Sequence, residues 1–184
     1  MDLSRTIIPK SDQINFEDVQ TTPITAVIKS VREGTREQPV FIDLVGYDGR
    51  PYKPSKSMRR VLIGGWGNNG HDWVGKSLTI IGDPSVKFGG VAVGGIKVYA
   101  MSDIESDFSM MLSVSRGKRS EHRVKKLLTN QMMLADFTSK LNEMSPEHFE
   151  KSYQWLKNKF SGDDENLEKL EVVYKSHKSD MENT

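Results

Sequence analysis

The sequence predicts a mainly β N-terminal domain over residues 22–127 and a small all-α region over residues 128–184. A polar arm, residues 1–21, precedes them. Three observations carry this division. Short β-branched runs separated by turn residues fill the first part. Apolar residues at helical spacing fill the second. The charge also changes sign between them. Residues 22–127 carry 17 Lys/Arg against 10 Asp/Glu (net +7), residues 128–184 carry 7 against 11 (net −4), and residues 1–21 carry 2 against 4 (net −2).

In order, the arm is polar apart from Ile7-Ile8 and is expected to dock only locally. Thr22–Val31 reads as a first strand, with Pro23 tolerable only at its start. A charged turn on Gly34 leads to a second strand, Pro39–Tyr47. Its Ile42 and Leu44 would point inward and Phe41, Asp43 and Tyr47 outward, with a bulge at Gly46. Asp48-Gly49 is a hairpin-turn dipeptide, which makes Arg50–Pro54 a short third strand. Ser55 caps a helix with Met58, Val61 and Leu62 on one side and Arg59 and Arg60 on the other, ending at Gly64-Gly65. Trp66 and Trp73 bracket a glycine-rich link and read as core.

Ser77–Ile81 alternates like a half-buried strand, and a glycine-rich loop carries Lys87-Phe88. Ile96–Met101 follows, with Ile96, Val98 and Ala100 facing inward and Lys97, Tyr99 and Met101 outward. The order strand, strand, short strand, helix, strand, loop, strand is that of the OB-fold, a five-stranded Greek-key barrel. Another small β-barrel or sandwich fits the same signals. Phe108–Ser115 and Glu121–Leu127, joined by Arg116–Arg119, read as an added hairpin, although Met110, Met111 and Leu112 also suit a helix.

Helical spacing begins near Asn130 with Met132, Met133, Phe137 and Leu141. Ser145-Pro146-Glu147 starts a second helix, with Phe149, Tyr153, Leu156 and Phe160 on its apolar side. Gly162 ends it, and Asp163 or Asp164 caps a third helix bearing Leu167, Leu170, Val173 and Tyr174. Residues 179–184 are expected to fray.

No apolar run approaches the roughly 18 residues of a membrane span. The chain has no cysteine, which rules out disulfides and thiolate chemistry and suits a reducing cytoplasm. The histidines at 71, 122, 148 and 177 have no metal-ligand spacing, and no catalytic constellation or nucleotide loop is present. No cofactor, metal site or enzymatic activity is therefore expected. What remains is a set of interleaved cations and rings suited to phosphates and bases. Arg32, Arg36, Phe41, Tyr47, Arg50, Tyr52 and Lys53 lie around the second and third strands. Lys87 and Phe88 lie in the glycine-rich loop, and Lys97 and Tyr99 on the fifth strand. Arg116, Lys118, Arg119, Arg123, Lys125 and Lys126 form the densest positive cluster, with the first four as the candidate phosphate contacts.

The stretch W-V-G-K-S-L-T-I-I-G-D-P-S-V-K-F-G-G-V-A-V-G-G-I-K-V, followed by M-S-D-I and R-G-K-R, resembles small proteins encoded by bacteriophages and prophages among recombination and replication genes. The likeness spans roughly residues 22–127. L-E-K-L-E-V-V-Y-K-S looks like the helical ends of phage annealing proteins. The resemblance implies an OB-type domain that handles single-stranded DNA in the host bacterial cytoplasm and supplies no catalytic residue. Expected partners are single-stranded DNA and, through the C-terminal helices, a phage or host recombination or replication protein, with self-association left open. The rival expectation is a protein-interaction module that binds no nucleic acid.

Overall fold

The computed structural model describes residues 11–182. The chain divides between Leu127 and Leu128 into two compact units, the first mainly β and the second helical.

In the β unit, a one-turn helix α1 (Phe16–Val19) precedes β1 (Ile24–Glu33) and β2 (Val40–Leu44). Helix α2 (Lys56–Trp66) and a 3-10 turn at Gly70–Trp73 lead to β3 (Ser77–Asp83). A small hairpin, β4 (Lys87–Phe88) and β5 (Val91–Ala92), is followed by β6 (Gly95–Met101), β7 (Phe108–Ser115) and β8 (Lys118–Lys126). Six strands form one mixed sheet in the order β2-β1-β3-β6-β8-β7. The sheet is not closed into a barrel: β2 lies at one edge and β7 at the other. All pairings are antiparallel except β6 with β8, where Ala100 and Met101 meet Lys125 and Lys126 in parallel.

Two bulges shape this sheet. β1 pairs with β3 through Ile24–Val27 and with β2 from Ile28 onward, with Lys29 as the extra residue. The bulge expected at Gly46 therefore sits on the partner strand, and Gly46 belongs to the turn after β2. The second bulge inserts Tyr99 between Val98 and Ala100, which oppose Ile80 and Thr79. That extra residue carries Met101 to the core face opposite Leu78, and Met101 is fully buried rather than outward. Simple alternation cannot foresee such a switch.

The core lies between one sheet face and α2. Ile24, Ile28, Ile42, Leu44, Leu78, Ile80 and Val98 pack with Met58, Val61 and Leu62. Ser55 Oγ caps α2 by accepting from the Met58 N–H at 3.3 Å. The helix does not stop at Gly64-Gly65 but runs to Trp66. A Cβ at Gly64 would lie 3.0 Å from Met110 Sδ, and one at Gly65 2.6 Å from Met101 Cε. These glycines thus permit close helix–sheet approach instead of ending the helix. Trp66 and Trp73 are buried with ring centroids 6.1 Å apart, as core residues. β3 is buried on both faces, not half-buried, because it is central and its Ser77 and Thr79 are satisfied locally. Ser77 N–H donates to Ser102 Oγ at 2.8 Å, and the Thr79 and Thr25 hydroxyls bond at 2.7 Å. The short third strand reduces to one antiparallel bridge between Ile42 and Tyr52. Within the arm, Ile14 and Val19 belong to the same core, so it is more than a local appendage; Ile7-Ile8 lies outside the described residues.

The helical unit comprises α3 (Asn130–Ser139), a 3-10 turn at Leu141–Glu143, α4 (Pro146–Lys159) and α5 (Asp164–Glu182). Each helix starts on a polar cap. Thr129 accepts from Met132 N–H, Ser145 from His148 N–H and Asp163 from Asn166 N–H. Leu134, Phe137, Phe149, Tyr153, Leu156, Phe160 and Leu170 form the core. Phe149 stacks between Phe137 and Tyr174, with ring centroids 5.7 and 5.3 Å away. Of the residues expected to fray, Ser179 to Glu182 continue α5, and residues 183 and 184 lie outside the described residues.

Candidate nucleic-acid interface

Three features of the β unit leave cations and rings open to solvent. The first is the β4–β5 hairpin, whose pairs are Lys87 with Ala92 and Phe88 with Val91. Gly89 and Gly90 form the two-residue turn with φ of +58° and +84°. A turn with positive φ at both central positions matches the twist of the flanking strands, and glycine adopts it without strain. The turn holds Phe88 and Val91 side by side, 81% and 65% exposed. Val93 beyond them is also exposed. So large an apolar tip in water is unusual unless something contacts it.

The second feature is the Tyr99 bulge. The interrupted ladder leaves Val98 without its ordinary partners, and side chains take over. Val98 N–H donates to Met58 Sδ at 3.1 Å. His122 Nε2–H donates to the Val98 carbonyl at 2.7 Å. Burial holds the His122 imidazole below its ordinary range, so the neutral ring carries the contact. Both groups fix the bulge and leave Tyr99 46% exposed, on the side of β6 that also bears the half-buried Lys97.

The third feature is the β7–β8 hairpin. Its register places Ser109 opposite Arg123, Met111 opposite Glu121 and Ser113 opposite Arg119, all on one face. Arg119, Glu121, Arg123 and Lys125 therefore form a row with two-residue steps of about 6.6 Å, the carboxylate standing between the two guanidinium groups. Val124 and Leu112 hold the other face to the core. Arg123 pairs with Glu121 at 3.1 Å and Lys125 with Asp107 at 3.1 Å, both exposed and easily exchanged for another anion. Arg116, Lys118 and Arg119 are exposed and have no acidic partner among the described residues. Ser113, Ser115, Gly117, Lys118 and Arg119 line a depression of about 380 Å³ at this tip.

The candidates around β1 and β2 are placed differently. Tyr52 is corrected outright: it is 1% exposed beneath the sheet edge and cannot stack on a base. Burial pushes its phenol far above the ordinary value. Arg50 donates to Asp18 Oδ2 at 2.7 Å and to the Gln13 carbonyl at 3.1 Å, which consumes it as a tie for the arm. Lys53 meets Asp12 at 3.1 Å. Arg32 makes two bonds to Asp43, at 2.7 and 3.0 Å, and holds that carboxyl below its usual range. Phe41 lies between the Arg32 guanidinium and the Lys53 ammonium, 5.1 and 4.6 Å from its centroid. Tyr47 packs half-buried against the core, and burial raises its hydroxyl. Arg36 stands exposed in the β1–β2 turn.

The exposed apolar residues Val91, Val93, Met111 and Val114 were not foreseen. A run such as V-A-V reads as buried until the paired glycines are taken as a projecting turn. In the helical unit, Met132, Met133, Met144 and the exposed Trp155 line a groove of about 830 Å³. Among the described residues, no cluster of His, Asp and Glu is arranged to hold a metal ion. No described helix is long and apolar enough to cross a membrane. No protein-family model, curated protein or solved structure matches this chain.

Proposed function

We propose that the β unit is a non-enzymatic single-stranded DNA-binding module serving phage recombination, replication or repair. The carrying observation is the set of exposed cations without acidic partners at Arg116, Lys118 and Arg119. Cations held in salt bridges already have their counterion, whereas these three take one from solution and release it when phosphate arrives. Phe88 and Tyr99 supply the open rings, each suited to stacking on any base. Lys87, Lys97 and Arg123 extend the positive surface. The long bulged β1, shared by β2 and β3, and the helix between β2 and β3 support an OB-type arrangement opened where its third strand shrinks to the Tyr52 bridge.

The helical unit, net −4 over residues 128–184, repels phosphate and is assigned to a phage or host protein partner. The methionine-lined groove favours that assignment, since flexible thioethers adapt to varied apolar surfaces. The same groove is what favours the alternative, an interaction module with no nucleic-acid role.

Fluorescence anisotropy with single- and double-stranded oligonucleotides, repeated at several salt concentrations, tests the proposal. Expected are tighter binding to the single strand and a linear fall of log affinity with log salt. Removal of residues 128–184 should change that affinity by no more than a few-fold. Absence of binding at low salt replaces this reading with the interaction module.

A further inference from the structure

The two edges of the sheet are unlike. The β2 edge is short and closed off: Tyr52 N–H donates to the Ile42 carbonyl at 2.8 Å and Ile42 N–H to the Tyr52 carbonyl at 2.9 Å. Pro39 precedes the strand and Asp43 lies within it. The β7 edge, Phe108–Ser115, has none of this. Its sequence, F-S-M-M-L-S-V-S, contains no charge and no proline. Among the described residues nothing hydrogen-bonds to its outward backbone groups. Among the described residues its one protecting device is the bulge at Val114, which leaves Phe108–Ser113 regular. Met111 beside this edge is 60% exposed and Val114 63%. A long, flat, uncharged edge is a template for another strand, and natural sheets normally block it.

We propose that β7 pairs antiparallel with β7 of a second copy of this chain, about a twofold axis at Met111. A twofold perpendicular to the sheet keeps each copy's core on the same side, so only like-facing residues can meet. Centring on Met111 sets it opposite its own equivalent and Ser109 opposite Ser113. On the core side, Met110 then meets Leu112. Every such pair is apolar with apolar or hydroxyl with hydroxyl, so the strand is complementary to itself. Charge does not oppose the pairing. The two rows of Arg119, Arg123 and Lys125 would stand three strand spacings apart, about 14 Å. That exceeds the Debye length of about 8–10 Å near physiological salt. An extended peptide from another protein would fit the same backbone groups but would not require this internal symmetry.

The inference is independent of the DNA-binding reading and is tested without nucleic acid. Sedimentation equilibrium of the full chain should show concentration-dependent association from 20.8 kDa to twice that mass. Met111→Glu places two carboxylates face to face on a solvent-exposed site, each beside its own chain's Glu121, and should abolish dimer while leaving circular dichroism unchanged. The chain has no cysteine, so a single Met111→Cys should give a disulfide-linked dimer on mild oxidation. Directly opposed strand residues have Cα atoms about 4.5–5.5 Å apart, within disulfide reach. Ser115→Cys, beyond the bulge, should not cross-link. A wild-type chain that stays monomeric at its highest soluble concentration overturns the proposal and leaves the edge to an extended peptide. So does a dimer that survives Met111→Glu, or one that fails to cross-link through Met111→Cys, because its interface lies elsewhere.

Discussion

The β1–β2 end and the β4–β5 and β7–β8 hairpins contain the same residue types with opposite fates. At the first, Arg32, Arg50 and Lys53 close on Asp43, Asp18 and Asp12, and the Phe41 ring is taken by two cations. At the hairpins, Arg116, Lys118 and Arg119 have no acidic partner among the described residues, and Phe88 and Tyr99 are open. A cation's identity does not say whether it is a tie or a ligand; its counterion does. The first region stabilises the sheet and the arm, and the second is available to a partner.

The largest expected effect separates the two regions. Arg116→Ala, Lys118→Ala and Arg119→Ala combined should weaken single-strand binding about a hundredfold near 0.1 M salt and flatten the salt slope by about 2, at about 0.7 per contact. Tm should not move. If the slope stays that of the wild type, the tip does not touch phosphate.

Next comes Phe88→Ala, expected to lose roughly 1–3 kcal/mol of binding with the salt slope intact, because a ring releases no counterion. Tyr99→Ala should behave likewise. A change in slope with either ring would blur the distinction between stacking and charge.

Arg50→Met should do the reverse. Arg50 and Asp18 are only 18% and 12% exposed. Breaking their pair should therefore cost about 2 kcal/mol of stability, between an exposed pair and a fully buried one. Oligonucleotide affinity should stay within twofold; a larger loss would move this end of the sheet into the interface.

The smallest effect is a pH dependence at the Tyr99 bulge. Burial lowers the His122 imidazole from its ordinary value of 6.5 in the folded chain, so the unfolded chain takes up the proton first as pH falls. The stabilisation is full above about 6.5 and declines as pH drops through the lower folded value. Thermal melts from pH 8 to 5 should show a steeper acid loss for wild type than for His122→Gln. Parallel curves would remove His122 from the device that holds the bulge.

Elements whose signals are local were legible in the amino-acid order alone. Alternation and turn chemistry gave Ile24–Glu33, Val40–Leu44, Ser77–Asp83 and the β7–β8 hairpin to within a few residues, and Ser55, Ser145 and the Asp163-Asp164 pair marked helix starts. The cations and rings were likewise visible as residue types. Which of them remain free was set by packing. Asp18 lies 32 residues from Arg50 and Asp12 41 from Lys53, separations that no local pattern encodes. Tyr52 became core although its segment makes only one bridge beside β2 instead of a strand, and Met101 because a single inserted Tyr99 reversed the alternation. The edge at β7 is likewise a property of strand order: a sheet closed into a barrel would have paired it. Backbone hydrogen bonds and ion pairs are short-ranged in space and indifferent to sequence distance, so local chemistry fixed the elements and packing fixed their roles.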